Sequence, residues 1–231
     1  MGARFALLFD LDGTLVDTDL HHIGAYNELL SGYGRSITVE DYRRQVMGFT
    51  NDDIMRRLFP DQSTARHAEL ADRKEELFRA RLSRLQPTAG LLGLLAWADE
   101  RAYPMAVVTN APMSNATAML EGLELSHRFQ RIIVGETLAH GKPHPLPYQT
   151  ALGQLGMQPF EAIAFEDSTS GVKSASSAGI LTVGMTTSLH EESLRAAGAR
   201  GTIRDFDDPR LHRWLPQDGA PAGVSAQTGI G

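Results

Sequence analysis

With 231 residues, 42% of them hydrophobic, the chain is long enough for one large domain or for a core with a smaller insert. Its formal net charge of −6 argues against nucleic acid or an anionic membrane as the main partner, because both attract basic surfaces. The chain has no cysteine, so disulfides and thiolate metal sites are excluded and carboxylates and histidines are left as the possible metal ligands.

The chain opens with an apolar run from Phe5 to Phe9, which predicts a fully buried strand. This run is far shorter than the roughly 20 residues that cross a bilayer, and it leads into acidic residues rather than a cleavage site. We therefore expect a soluble, cytoplasmic protein, and we expect it to act as a monomer.

Two aspartates with one residue between them, Asp10 and Asp12, follow this strand, and Gly13 and Thr14 come next. In an open α/β sheet, ligands bind beyond the carboxyl ends of the strands, so both aspartates lie where chemistry is expected. Two like charges this close imply a cation beside them, and Mg²⁺ is the best candidate. Asp10 could then attack phosphorus, Asp12 could carry the proton, and Thr14 could offer its hydroxyl and backbone N–H to an anion. The alternative is a strand end whose aspartates only cap a turn.

Residues 18–86 show helical spacing and no convincing strand. Capping-box-like helix starts stand at Thr38 and Thr50, and a longer helix is expected from about Ser63 to Leu85. A Rossmann-like sheet should by this point have produced its second strand. The block is therefore predicted to be a helical cap inserted into the core.

Strands and helices alternate from residue 87 to residue 215, which predicts parallel β-α-β units. Strands are expected at residues 104–109, 131–134, 162–165 and 181–183, with an edge strand at 202–203. The predicted fold class is thus α/β, with a Rossmann-like, doubly wound parallel sheet as the core (1–17 and 87–215) and the helical cap inserted at 18–86. The segment 216–231, rich in Gly, Ala, Pro and Gln, is expected to be a flexible tail.

Polar groups also stand at the ends of later elements. After the strand at 104–109, the Thr109 hydroxyl and the Asn110 amide could bind phosphate oxygens, and ordinary turn chemistry is the alternative. Lys142 lies in a loop stiffened by prolines, where a fixed ammonium could neutralise a phosphate and steady Asp10. The alternative for Lys142 is a solvated surface charge, as for most lysines.

Glu166 and Asp167 follow the strand at 162–165 and precede a predicted helix. Two adjacent carboxylates supply hard oxygen ligands for Mg²⁺, directly or through water. The alternative for a lone Glu-Asp pair is a helix N-cap. Because every one of these motifs stands beside a predicted strand or helix end of the core, the sequence predicts one shared site at one edge of the sheet.

These motifs resemble, in order, the four motifs of the haloacid dehalogenase (HAD) superfamily. The string Phe-Asp-Leu-Asp-Gly-Thr-Leu-Val-Asp is similar to the first motif. Thr109 resembles the second motif, Gly-Lys-Pro around Lys142 resembles the third, and the pair Glu166 and Asp167 resembles the fourth. The resemblance implies phosphoryl transfer with Mg²⁺ as cofactor. The expected metal ligands are Asp10, the main-chain carbonyl of Asp12 and Asp167, with Glu166 in support.

The position of the cap between the first and second motifs is similar to the C1-capped branch of that superfamily, which includes phosphoglycolate phosphatases and β-phosphoglucomutases. In that branch the cap closes over the substrate and shapes specificity. By resemblance to β-phosphoglucomutase-like proteins, His22 and Lys74 are expected at the substrate, and the alternatives are a packed or surface histidine and a solvated lysine. Asn51 stands where the mutase pattern carries an arginine for a second phosphate.

We therefore expect a Mg²⁺-dependent phosphatase that hydrolyses a small phosphomonoester, such as a sugar, polyol or hydroxy-acid phosphate, through an aspartyl-phosphate on Asp10. The alternative is a β-phosphoglucomutase-like phosphosugar mutase. A non-catalytic binding protein on this fold is less favoured, because every catalytic position carries a competent side chain. The expected catalytic residues are Asp10, Asp12, Thr109 and Lys142, and the expected substrate-binding residues are Thr14, His22, Asn51, Lys74 and Asn110.

Overall fold

The computed structural model describes residues 4–83 and 85–216, so the predicted tail lies outside the described residues apart from Pro216. The first strand is followed by four helices: β1 (Ala6–Phe9), α1 (Asp19–Ser31), α2 (Val39–Gln45), α3 (Asn51–Leu58) and α4 (Thr64–Arg79). Helices and strands then alternate: α5 (Leu91–Glu100), β2 (Met105–Thr109), α6 (Met113–Gly122), β3 (Arg131–Val134), α7 (Leu146–Leu155), β4 (Ala162–Glu166), α8 (Thr169–Ser177), β5 (Leu181–Met185), α9 (Glu191–Ala196) and β6 (Gly201–Ile203). Among the described residues, no helix has both the length and the apolar character needed to cross a membrane.

The six strands found in the described residues form one parallel sheet in the order β3-β2-β1-β4-β5-β6. β1 is central, with β2 on one side and β4 on the other, so the strand order reverses next to it. The predicted α/β class with a Rossmann-like, doubly wound sheet is confirmed. In such sheets the crevice at this reversal point is where ligands bind.

The side chains of β1 alternate between two buried clusters, one on each face of the sheet. Leu7 and Phe9 belong to the larger cluster, and Ala6 and Leu8 to the smaller one. The larger cluster also contains apolar residues from the helices between β1 and β2, among them Tyr26, Leu30, Met55 and Phe78. The helical block and the sheet are therefore joined by shared apolar packing.

The chain leaves the sheet and returns to it at one place. Val16 forms an antiparallel bridge with Pro87, and the Thr88 N–H donates to the Leu15 carbonyl at 2.9 Å. The helix predicted for residues 63–85 is shorter than expected, because α4 ends at Arg79. The N–H groups of Arg81 and Leu82 bond to carbonyls three residues back, which tightens the chain into a turn that leads back towards the sheet.

Both predicted capping starts are confirmed. The Thr38 hydroxyl accepts from the Asp41 N–H at 3.1 Å, and the Asp41 carboxylate accepts from the Thr38 N–H at 3.2 Å. The Thr50 hydroxyl accepts from the Asp53 N–H at 3.3 Å. Ser188 lies three residues before α9, which begins at Glu191. The Ser188 hydroxyl donates to the Asp19 carboxylate at 2.9 Å, so it links the core to α1.

Candidate active site

The carboxylates of Asp10, Glu166 and Asp167 form a buried cluster at the carboxyl ends of β1 and β4. These strands are neighbours, since Phe9 pairs with Phe165 and the Asp10 N–H donates to the Phe165 carbonyl at 3.0 Å. One oxygen of each carboxylate lies within 4.8 Å of the others. The sheet therefore brings together acidic residues that are far apart in the chain.

Lys142 enters this cluster from the loop before α7. Its Nζ lies 2.5 Å from Asp10 Oδ1 and 2.5 Å from Glu166 Oε1. The Asn110 side chain holds its backbone, because Oδ1 accepts from the Lys142 N–H at 3.0 Å and Nδ2 donates to the Lys142 carbonyl at 3.1 Å. Lys142 is only 4% exposed, so the surface-charge alternative is wrong. Asn110, predicted to bind substrate, has its side chain engaged in holding Lys142.

The charges of the cluster do not balance among the protein groups, since three carboxylates face one ammonium. Burial raises the pKa of Asp10 to about 8, with Lys142 opposing the rise and Glu166 adding to it. Burial, together with repulsion from Asp10 and Glu166, also raises the pKa of Asp167 well above its ordinary value. For Lys142, burial favours the neutral amine, but attraction to Asp10 and Glu166 outweighs it and raises the pKa. Full ionisation of these buried hard-oxygen donors would leave two negative charges uncompensated, which fits a divalent cation.

Glu166 is fully buried and is held by a residue that the sequence patterns did not identify. The Tyr148 hydroxyl donates to Glu166 Oε1 at 2.6 Å. Burial and the charge of Glu166 raise the pKa of Tyr148 well above its ordinary value, so the hydroxyl keeps its proton. Glu166 is thus fixed between Tyr148 and Lys142, as a carboxylate in a supporting role requires.

Gly13 allows the loop after β1 to pass close to Asp167. Its φ is +74°, and a Cβ there would collide with a carboxylate oxygen of Asp167 and lie 2.6 Å from its Cγ. Gly34, between α1 and α2, has a similar φ of +65° but faces open space. The two glycines therefore separate the cost of a left-handed backbone from the cost of crowding Asp167.

We expect Gly13→Ala to lower the free energy of unfolding and to weaken binding of a divalent cation. The left-handed backbone costs about 1–2 kcal/mol, and the collision adds about 1–3 kcal/mol while it displaces Asp167. Gly34→Ala, the control, should lose only the backbone part and bind the cation normally. Urea denaturation and calorimetric Mg²⁺ titration measure both quantities. Unchanged cation affinity in Gly13→Ala would contradict the role given to this contact.

The carboxylate of Asp12 is held by residues at the start of α1. Its Oδ1 accepts hydrogen bonds from the Thr18 hydroxyl and from His22 Nε2, the latter at 3.0 Å. Burial opposes the charged form, but these hydrogen bonds and the electrostatic attraction of His22 and Lys74 outweigh it, so the pKa of Asp12 lies below its usual range. The side chain of Asp12 is therefore ionised and lies outside the three-carboxylate cluster.

A buried polar row continues from His22 into α4. The His22 ring stacks on Phe78 with centroids 3.9 Å apart, and its Nδ1 lies 2.9 Å from Lys74 Nζ. Both carboxylate oxygens of Glu75 lie 3.1 Å from the same Nζ. Asn115 Nδ2, on α6, donates to Glu75 Oε2 at 2.5 Å. The row thus links Asp12 to His22 and Lys74, which were predicted as site residues, and through them to Glu75 and Asn115, which sequence reasoning missed.

The burial of Lys74 has a signal in the helical periodicity. Lys74 is four residues from Leu70 and four from Phe78, so it lies on the apolar stripe of α4. It is 2% exposed, and the alternative of a solvated lysine is therefore wrong. The flanking residues Arg73 and Glu76 pair with each other at the surface. The sequence could have pointed to Glu75 only indirectly, because a buried lysine needs a carboxylate beside it to balance its charge.

An open cavity lies between the helical block and the sheet edge. The predicted site residues that line it are Asp10, Asp12, His22, Asn51, Lys74, Thr109, Asn110, Lys142 and Asp167. The Thr109 hydroxyl also accepts from the Ala111 N–H at 2.9 Å, as the turn alternative predicted. Thr14 lies outside the described lining: it is fully buried, and its N–H donates to the Leu11 carbonyl at 3.3 Å. This geometry does not fit the anion contact expected for Thr14.

Comparison with known proteins places this site in a family. Residues 7–185 match a family model described as haloacid dehalogenase-like hydrolase. A phosphorylated carbohydrates phosphatase of Thermotoga maritima is 30% identical over 203 residues, which cover 86% of this chain and 94% of the relative. A phosphoglycolate phosphatase of Rhodospirillum rubrum is 32% identical over 228 residues, which cover 93% of this chain and 92% of the relative.

A crystal structure of CbbY from Rhodobacter sphaeroides in complex with phosphate superposes with a TM-score of 0.78 at 28% identity, covering 88% of this chain and 95% of that one. The family match runs from β1 to β5 and so includes the strands that carry the carboxylate cluster. The expected enzyme class is confirmed, since both relatives are named phosphatases. The chain belongs to the haloacid dehalogenase-like hydrolase family.

Proposed function

We propose that this chain is a Mg²⁺-dependent phosphatase that hydrolyses a small phosphomonoester through an aspartyl-phosphate on Asp10. The observation that carries the proposal is the ion pair between Asp10 and Lys142 inside a cluster of buried carboxylates, with the ionised Asp12 beside it. The phosphatases among the relatives, one of which is named for phosphorylated carbohydrates, support a small phosphorylated substrate.

In the proposed mechanism, Asp10 attacks phosphorus and the bond to the leaving oxygen breaks. Lys142 steadies Asp10 and offsets the charge of the phosphoryl group, and Thr109 contacts its oxygens. When bound by Asp10, Asp167 and the main-chain carbonyl of Asp12, with Glu166 in support, Mg²⁺ supplies charge neutralisation and polarises phosphoryl oxygens.

Asp12 handles the proton in both half-reactions. It takes a proton from the water that attacks the aspartyl-phosphate in the second half-reaction, and it passes that proton to the leaving oxygen in the first half-reaction of the next turnover. The hydrogen bonds from Thr18 and His22 keep it oriented and favour its charged form, which suits the second half-reaction.

We also propose that residues 18–86 act as the cap that covers the substrate and that 1–17 and 87–215 act as the catalytic core. The lining of the cavity supports this division, because His22 and Lys74 come from the helical block and Asp10 from the sheet. Cytoplasmic location and a monomeric state stay predictions.

Hydrolysis is favoured over mutase chemistry by the groups that face the cavity. A mutase must hold a bisphosphate intermediate, which calls for a cationic grip on the distal phosphate. Asn51 offers no charge. Lys74 could replace the missing arginine only if it were free, but both oxygens of Glu75 already lie 3.1 Å from its Nζ.

We expect steady release of inorganic phosphate from small phosphomonoesters in the presence of Mg²⁺. Interconversion of β-glucose 1-phosphate and glucose 6-phosphate should be slight, even when glucose 1,6-bisphosphate is supplied. Both products are measured in one assay. Efficient isomerisation with negligible phosphate release would support the mutase, and no reaction with any ester would support the non-catalytic alternative.

A further inference from the structure

The cavity is rich in carboxylates and poor in free cations. Its described lining contains two lysines and no arginine, against five acidic residues: Asp10, Asp12, Asp19, Glu75 and Asp167. Lys142 is paired with Asp10 and Glu166. Lys74 is paired with Glu75. A single phosphate at Asp10 can use Lys142 and the divalent cation, but a second phosphate elsewhere in the cavity meets no unpaired cation in the described lining.

Glu75 is one of the two acidic residues, with Asp19, that the helical block contributes to the described lining. It is 5% exposed, and it receives hydrogen bonds from Lys74, Asn115 and Asn51. Burial opposes its ionisation, but attraction to Lys74 and His22 and the two amide hydrogen bonds outweigh this effect and lower its pKa. The carboxylate is thus fixed in position and ionised.

We propose that Glu75 is a specificity-determining residue that restricts the substrate to one phosphate group on an uncharged, hydroxylated body. This inference rests on the proposed phosphatase function and adds to it the residue that excludes a second anion. Sugar hydroxyls can donate to a carboxylate and accept from an ammonium, whereas a phosphate dianion only accepts and is repelled by Glu75. The low dielectric of a buried site strengthens that repulsion.

The chain offers a closely matched pair of variants. Glu75→Gln keeps the size of the side chain and removes its charge inside the cavity. Glu76→Gln removes the same charge from the next residue of α4, where the side chain is 58% exposed and contacts Arg73. A third variant, Glu75→Asp, shortens the side chain but keeps the charge.

The test compares fructose 6-phosphate with fructose 1,6-bisphosphate, which differ by one phosphate. Affinities are measured by calorimetry with Mg²⁺ in an Asp10→Asn background, so the result does not depend on turnover. We expect the monophosphate to bind at least on the order of tenfold more tightly. Glu75→Gln should lower this preference by on the order of tenfold, chiefly through tighter bisphosphate binding, while Glu76→Gln and Glu75→Asp keep it.

Equal affinity for the two sugars, an unchanged preference in Glu75→Gln, or no binding of the monophosphate would overturn the inference. If Glu75→Gln does not fold, Asn51→Asp serves in its place, since aspartate is favourable in the first turn of α3 and adds a charge beside Glu75. That variant should weaken bisphosphate binding more than monophosphate binding, and an equal effect on both counts against the inference. Failure of phosphate release by the unmodified chain would instead count against the proposed function, while the binding comparison still decides the role of Glu75.

Discussion

Replacement of Asp10 by asparagine is expected to abolish phosphate release, with a loss of at least about 10⁴-fold in kcat. The amide is not a competent nucleophile, so no aspartyl-phosphate can form. Asparagine has nearly the same shape as aspartate, so the sheet edge and the packing around Lys142 should be kept. The rate is measured as phosphate release at saturating substrate and Mg²⁺.

Two further variants provide rates with which the loss in Asp10→Asn can be compared. Asp12→Asn removes only the proton transfer and should cost roughly 10² to 10⁴ in rate. Asp52→Asn, in an exposed pair with Arg56 on α3, should behave as the unmodified chain. Turnover by Asp10→Asn at a rate above that of Asp12→Asn would show that the nucleophile lies elsewhere.

Removal of divalent cations is expected to stop the reaction almost completely, by at least about 10³-fold, since a catalytic metal supplies several kcal/mol of charge stabilisation. Without the cation, three buried carboxylates share one lysine, and the substrate phosphate adds further negative charge. EDTA should abolish phosphate release, and Mg²⁺ added in excess should restore it.

A second readout of the cation does not depend on activity. Because Mg²⁺ binds only the folded cluster, it should raise the midpoint of thermal unfolding in a concentration-dependent way. Asp167→Asn should require a higher Mg²⁺ concentration for the same shift, whereas Asp52→Asn should not. Full turnover in excess EDTA would refute the metal requirement.

The part of the site that could be predicted from the sequence is the part that the sheet builds. Asp10, Thr109 and Asp167 each stand at or just beyond the carboxyl end of a strand, and parallel neighbouring strands bring those ends to one edge. The fold class followed from the same rhythm of buried strands and helices. Local patterns sufficed here because the geometry of a parallel sheet is regular.

The part that could not be predicted depends on contacts between helices. Glu75 matters because α4 turns it towards Asn115 on α6, and Tyr148 matters because α7 brings its hydroxyl to Glu166. In neither contact are the two residues separated by a characteristic number of positions that a sequence pattern could reveal. The anion contact expected for Thr14 does not fit the structure for a related reason. The turn after β1 buries its side chain and directs its N–H to the Leu11 carbonyl rather than to the cavity.

The most direct test is to identify the residue that carries phosphate during turnover. The Asp12→Asn variant is mixed with p-nitrophenyl phosphate and Mg²⁺, because p-nitrophenolate leaves without a proton while the water step is slowed. The reaction is quenched in acid, and the acyl phosphate is located by peptide fragmentation in a mass spectrometer. The proposal predicts a phosphate adduct on Asp10 that is absent from Asp10→Asn, and an adduct on another residue, or none under conditions of rapid p-nitrophenolate release, would contradict it.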